Sequence, residues 1–119
     1  MSEKRTQRVF LHDIINEVDR INRILTPLGY DDFFDDEISV YAIMKCYEII
    51  GEAARNLAPE LKSQMPRIPW QDVITMRNKI THEYWGADVK VMWDTAKFDL
   101  PILRDEVQKC LESLPEEFE

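Results

Sequence analysis

The sequence predicts an all-α fold, a single antiparallel up-and-down bundle of four to five helices spanning residues 1–119, and three observations carry that prediction. Apolar residues return every three to four positions through most of the chain, the period of a helix with a buried face. Only 3 glycines occur among the 119 residues, too few for a chain of short strands joined by tight turns. Pro27, Pro59, Pro66, Pro69 and Pro101 fall at the joints between the periodic runs, where they can end or begin a helix without breaking one. The length suits one domain with one modest core, and 45% hydrophobic against 32% charged residues is the balance of a chain that folds.

Leu11, Ile14, Ile15, Val18, Ile21 and Leu25 form the apolar stripe of a first helix, with Thr6 as a possible N-cap and Pro27-Leu28-Gly29 ending it. The acidic run from Asp31 to Glu37 can supply an N-cap at Asp35 or Asp36 and favourable charge at the next helix start. It lacks the central glycine and terminal glutamate of a calcium-binding EF-hand loop. A second helix runs from about Glu37 to Leu57, stopped by Pro59, with two apolar stripes: Ala42, Cys46, Ile49 and Ala53, and Val40, Ile43, Tyr47, Ile50 and Ala54. Two stripes mean two neighbours. The second stripe is a candidate homodimer interface, or it is bundle core. Gly51, Ala53 and Ala54 are small enough to let another helix approach closely.

Pro69 suits the first turn of a third helix, in which Trp70, Val73, Ile74, Arg77 and Ile80 recur at helical spacing until Gly86. Asp88 can cap a fourth helix carrying Val89, Met92, Trp93 and Ala96, and Asp99 followed by Pro101 marks a fresh start or a kink. The last segment presents Leu103, Val107, Cys110, Leu111 and Leu114 on one face.

Charge and cysteine usage narrow the function classes. The formal net charge is −8, which counts against a nucleic-acid partner because phosphate contacts rely on Lys and Arg. Its distribution softens that objection. Nine acids lie in Asp31–Glu37 and Glu112–Glu119, and setting them aside leaves 14 acidic residues against 15 basic ones. RNA binding is permitted, not indicated, by composition. The N-terminus shows no signal-peptide pattern and no apolar run approaches a membrane span, so a cytoplasmic protein is expected. Cys46 and Cys110 sit in helical apolar patterns without CxxC spacing and read as reduced core residues.

Arg77 breaks the pattern, because it stands on the apolar stripe of the third helix. An inward guanidinium is costly unless paired, so it belongs to an ion pair or to a functional cleft, and periodicity alone favours the ion pair. His82 falls about 140° further round a continuous helix, with Asn78 one turn before it, and Tyr84 falls within about 20° of Arg77. An arginine, an asparagine, a histidine and a tyrosine then converge on one rim. His12, by contrast, reads as an ordinary surface residue, and Glu48 and Glu52 read as solvated or ion-paired carboxylates, because no histidine completes a metal pair with them.

The run Arg77-Asn78-Lys79-Ile80-Thr81-His82-Glu83-Tyr84 resembles the Arg-x4-His-x-Tyr motif of the HepT-like branch of the HEPN superfamily. Tyr41-Ala42-Ile43 through Glu48-Ile49-Ile50-Gly51-Glu52-Ala53-Ala54 resembles that family's second helix, Trp85-Gly86 and Val91-Met92-Trp93 its region after the motif, and Asp99-Leu100-Pro101 the start of its last helix. The resemblance implies a metal-independent endoribonuclease without a cofactor, the toxin of a toxin–antitoxin pair. Its site would contain Arg77 and His82 from both members of a homodimer, with Asn78 in support. It also implies a minimal nucleotidyltransferase as antitoxin partner, transferring AMP to Tyr84. The alternative within the same superfamily is a non-catalytic HEPN module that presents nucleotide or substrate to such a nucleotidyltransferase. A third reading is a helical dimer in which Arg77 serves structure alone.

Overall fold

A computed structural model describes the backbone of residues 3–80 and 85–115, together with their side chains except those of residues 3–6, 77, 79, 85 and 87. Helix α1 (Glu3–Leu25) starts three residues before Thr6, so that residue lies within the helix instead of capping it. Leu11, Ile14, Val18 and Ile21 on its inner face are wholly buried, each contributing roughly 1.5–3 kcal/mol by leaving water.

The acidic run is itself a short helix, α2 (Tyr30–Asp35), in addition to being a cap. The Gly29 N–H donates to the Asp32 carboxylate at 3.2 Å, and Phe33 is completely buried. Tyr30 and Phe33 pack against Trp93, with ring centroids 5.6 and 5.8 Å away. Asp36 then caps α3 (Glu37–Asn56): its carboxylate accepts from the Ser39 N–H at 3.1 Å and the Ser39 hydroxyl at 2.7 Å. These bonds hold the Asp36 carboxyl below the usual range.

The second stripe of α3 points into the protein, whereas the first is buried at Cys46 and Ala53 and half-buried at Ala42 and Ile49. Val40, Ile43, Tyr47, Ile50 and Ala54 are all buried in the single chain, which decides between the two readings of this second stripe for bundle core and against a homodimer interface: α1 packs on one flank of α3 and later segments cover the other. Helix α4 (Pro59–Ser63) is short, starts with proline and buries Leu61. The third long helix foreseen from periodicity is only five residues, α5 (Trp70–Ile74). At its end the Thr75 N–H and hydroxyl both donate to the Gln71 carbonyl, at 3.0 and 2.8 Å, and the chain tightens into a 3-10 turn, Met76–Lys79. A hydroxyl competing for a helix carbonyl weakens the α ladder at that point.

Helix α6 (Trp85–Asp94) contains Gly86 and begins before Asp88. Glycine therefore does not break a helix here, and Asp88 is a buried residue of the first turn instead of its cap. A π turn, Thr95–Asp99, leads directly into α7 (Leu100–Ser113). Pro101 has no N–H to place in an α ladder, and the ladder widens just before it. Leu100, Leu103, Val107, Cys110 and Leu111 are buried, and Arg104 grips Asp19 of α1 through two bonds of 2.7 and 3.0 Å. The architecture is an all-α bundle, with no strand among the described residues. No helix among them is long and apolar enough to cross a membrane.

Candidate active site

Helix α3 carries the platform for the motif segment. At Gly51 the end of α5 comes so close that a β-carbon would lie 3.2 Å from the Ile74 carbonyl oxygen and 3.3 Å from that of Val73. A glycine inside a helix costs about 1 kcal/mol relative to alanine, and this close approach is what the missing side chain allows. The expectation that the small residues of this helix admit a neighbour is met here.

From Ile74 the chain has little slack. The Asn78 N–H donates to the Thr75 carbonyl at 2.8 Å, Met76 packs against the core, and Ile80 is 7% exposed. The main chain of Arg77 is thus held between two apolar anchors, on a 3-10 turn seated on α3. Asn78 is exposed, available to solvent or a ligand. His82 and Tyr84 lie outside the described residues, as do the side chains of Arg77 and Lys79. The helical angles that would converge Arg77, Asn78, His82 and Tyr84 on one rim assume a continuous α-helix, whereas the α-helix stops at Ile74.

Beyond the motif the chain is fixed again. Buried Tyr47 donates its hydroxyl to the Met92 carbonyl at 2.8 Å, tying α6 to α3. Burial, reinforced by the nearby Asp99, pushes the Tyr47 phenol far above its usual range, so it stays a neutral donor. A cleft of about 350 Å³ opens beside the turn, between Asp72 and Met76 on one wall and Thr95, Asp99 and Ile102 on the other. Arg67 at its edge is committed to Glu106 at 3.2 Å.

The remaining expectations concern residues away from the motif. Glu52 is ion-paired with Arg55 at 4.0 Å and accepts from the Asn56 amide at 3.2 Å, while Glu48 is exposed. His12 is an exposed residue of α1. Cys46 and Cys110 are buried and free. Burial, with the Glu17 carboxylate alongside, raises the Cys46 thiol to about 12, which suits a core residue and not a nucleophile. Sequence reading did not foresee the Tyr47–Met92 link, and its signal was a tyrosine on a fully apolar stripe, where a buried hydroxyl has to find an acceptor.

With this geometry in place, comparison with known proteins is decisive. The family model described as "Ribonuclease HepT-like" matches residues 14–110. The chain belongs to that family. Among similar proteins, a Thermococcus cleftensis protein named "Probable ribonuclease HepT" is 36% identical over 106 residues, covering 89% of this chain and 96% of that one. A Methanocaldococcus jannaschii protein provisionally named as an RNase is 33% identical over 113 residues, covering 95% and 97%. A third, from Caldanaerobacter subterraneus subsp. tengcongensis and also provisionally named as an RNase, is 31% identical over 108 residues, covering 91% and 96%. No solved structure shows significant similarity. The HepT-like match spans α3, the Gly51 platform and the whole motif segment, so the platform and the motif belong to the part of the chain that defines membership.

Proposed function

We propose that this HepT-like protein is a metal-independent endoribonuclease, the toxin of a toxin–antitoxin pair, acting through Arg77 and His82. The observation that carries the reading is the family match over residues 14–110, within which Arg77, Asn78, His82 and Tyr84 stand at the motif spacing. RNA carries its own nucleophile, the 2′-hydroxyl. Cleavage needs a base to take its proton and positive charge to steady the crowded phosphorus. Histidine titrates near neutral pH and suits the first task; arginine is always charged, forks onto phosphate oxygens and suits the second. In a homodimer, two copies of His82 divide the work, one as base and one as acid to the departing 5′-oxygen, with Asn78 orienting the phosphate. The chain has 2 histidines, too few to build a histidine-rich metal centre around His82, and the reaction as written needs none.

Because the apolar stripe of α3 is occupied in the core, the dimer contact would draw on other surfaces. Light scattering is expected to give twice the 14.1 kDa of one chain. The direct test of activity is incubation of the purified protein with RNA in EDTA, alongside His82→Ala. Cleavage by the wild type and its loss in the variant are expected. Activity that disappears in EDTA and returns with magnesium would overturn the mechanism, and RNA binding without cleavage would favour the non-catalytic module.

A further inference from the structure

We infer that Gly51 is a positioning residue for the active site: by having no side chain, it sets how deeply the Arg77 turn sits on α3. The inference deepens the proposed ribonuclease reading and rests on it. Three observations connect Gly51 to Arg77. A β-carbon at position 51 would meet the carbonyl oxygens of Ile74 and Val73 at 3.2 and 3.3 Å. Those oxygens belong to main chain and cannot swing aside like a side-chain end, so relief requires the end of α5 to move by a few tenths of an ångström. Ile74 is also the last residue of α5, and Thr75 passes any movement on: its N–H is fixed to Gln71 at 3.0 Å and its carbonyl to the Asn78 N–H at 2.8 Å. Arg77 lies inside the span that this last bond closes.

The glycine lies inside the 20-residue helix α3, more than a turn from either end, and is itself buried. At such a position helix propensity favours alanine, and no turn or cap calls for glycine. The close backbone approach accounts for it. Phosphoryl chemistry is steeply sensitive to placement, with about 1 Å of error costing on the order of a hundredfold in rate, so a few tenths of an ångström at Arg77 registers in kcat before it registers in stability. Alanine at position 51 also improves the helix while crowding α5, and these effects on the fold oppose each other.

The experiment compares the wild type with Gly51→Ala and Gly51→Ser, and uses Ala42→Gly as a control about two and a half turns away on the same helix. Thermal midpoints, kcat and KM for RNA cleavage, and amide spectra of ¹⁵N-labelled protein are measured. Gly51→Ala is expected to stay folded with kcat lowered about fourfold and KM within about twofold, Gly51→Ser to lose more, and Ala42→Gly to lose stability with kcat unchanged. Apart from the neighbours of position 51 on α3 itself, amide shifts in Gly51→Ala should concentrate at residues 73–80. Wild-type kcat in Gly51→Ala, or shifts spread evenly over the bundle, would overturn the inference even if Arg77→Ala and His82→Ala are inactive. If those two variants cleave as well as the wild type, the site reading fails and takes the inference with it.

Discussion

The Tyr47 hydroxyl and the Met92 carbonyl, 45 residues apart, meet at 2.8 Å in the core. This bond joins the helix beneath the motif to the helix that follows it. Tyr47→Phe keeps the ring but removes a buried hydrogen bond between two helices, which costs about 1 kcal/mol. The thermal midpoint is expected to fall by roughly 5 °C, with the helix content of the native state unchanged. A midpoint equal to the wild type would show that the bond contributes nothing.

Asp19 and Arg104 give a pH dependence. The hydrogen bonds from Arg104 hold the Asp19 carboxyl below its ordinary 3.8, so its stabilisation is fully present above about 3.8 and is lost as pH falls through the lower folded value. Both side chains are more than a third exposed, which limits the pair to about 1 kcal/mol. Asp19→Asn is expected to be less stable than the wild type by up to that amount at pH 7, with the gap closing under acid. Denaturant titrations at neutral pH and below pH 3.8 measure it. A gap that persists in acid would mean the substitution acts by packing and not by charge.

Much of the fold could be read from the sequence because the long helices bury one-sided stripes: the faces of α1 and α7 match the 3.6-residue period. Three features could not. The helix at Tyr30–Asp35 hid in the acidic run, whose charges suggested only a cap, although Phe33 and Phe34 within it were the sign of a buried side. The end of α5 at Ile74 coincides with the Thr75 hydroxyl and N–H sharing the Gln71 carbonyl, a local bonding detail that apolar spacing does not register. The second stripe of α3 reads the same whether its cover is another part of the chain or another copy. At the site, the motif residues were legible by type and spacing, and the small side chains of α3 announced a close neighbour. That Gly51 lies under the turn carrying Arg77 is a tertiary fact with no trace in spacing.

Tyr84 is the place where control is expected. With ATP, magnesium and a cognate minimal nucleotidyltransferase, the protein should gain AMP on Tyr84 and stop cleaving RNA, because the added phosphate brings bulk and negative charge two residues from His82. Tyr84→Phe keeps the ring without the acceptor oxygen and is expected to cleave RNA while escaping silencing. Intact mass follows the adduct and cleavage follows activity. A Tyr84→Phe protein that still gains AMP and falls silent would place the acceptor elsewhere.

The central claim, that Arg77 and His82 drive attack by the 2′-hydroxyl of RNA, is tested most directly by substrate chemistry. Wild type, Arg77→Ala and His82→Ala are incubated in EDTA with one sequence prepared as RNA and as 2′-O-methyl RNA, and the product ends are identified by mass. The account predicts that the wild type alone cleaves, that it cleaves only the unmodified RNA, and that the fragments carry 2′,3′-cyclic phosphate and 5′-hydroxyl ends. Cleavage of the 2′-O-methyl strand, 5′-phosphate ends, or full activity in His82→Ala would contradict it.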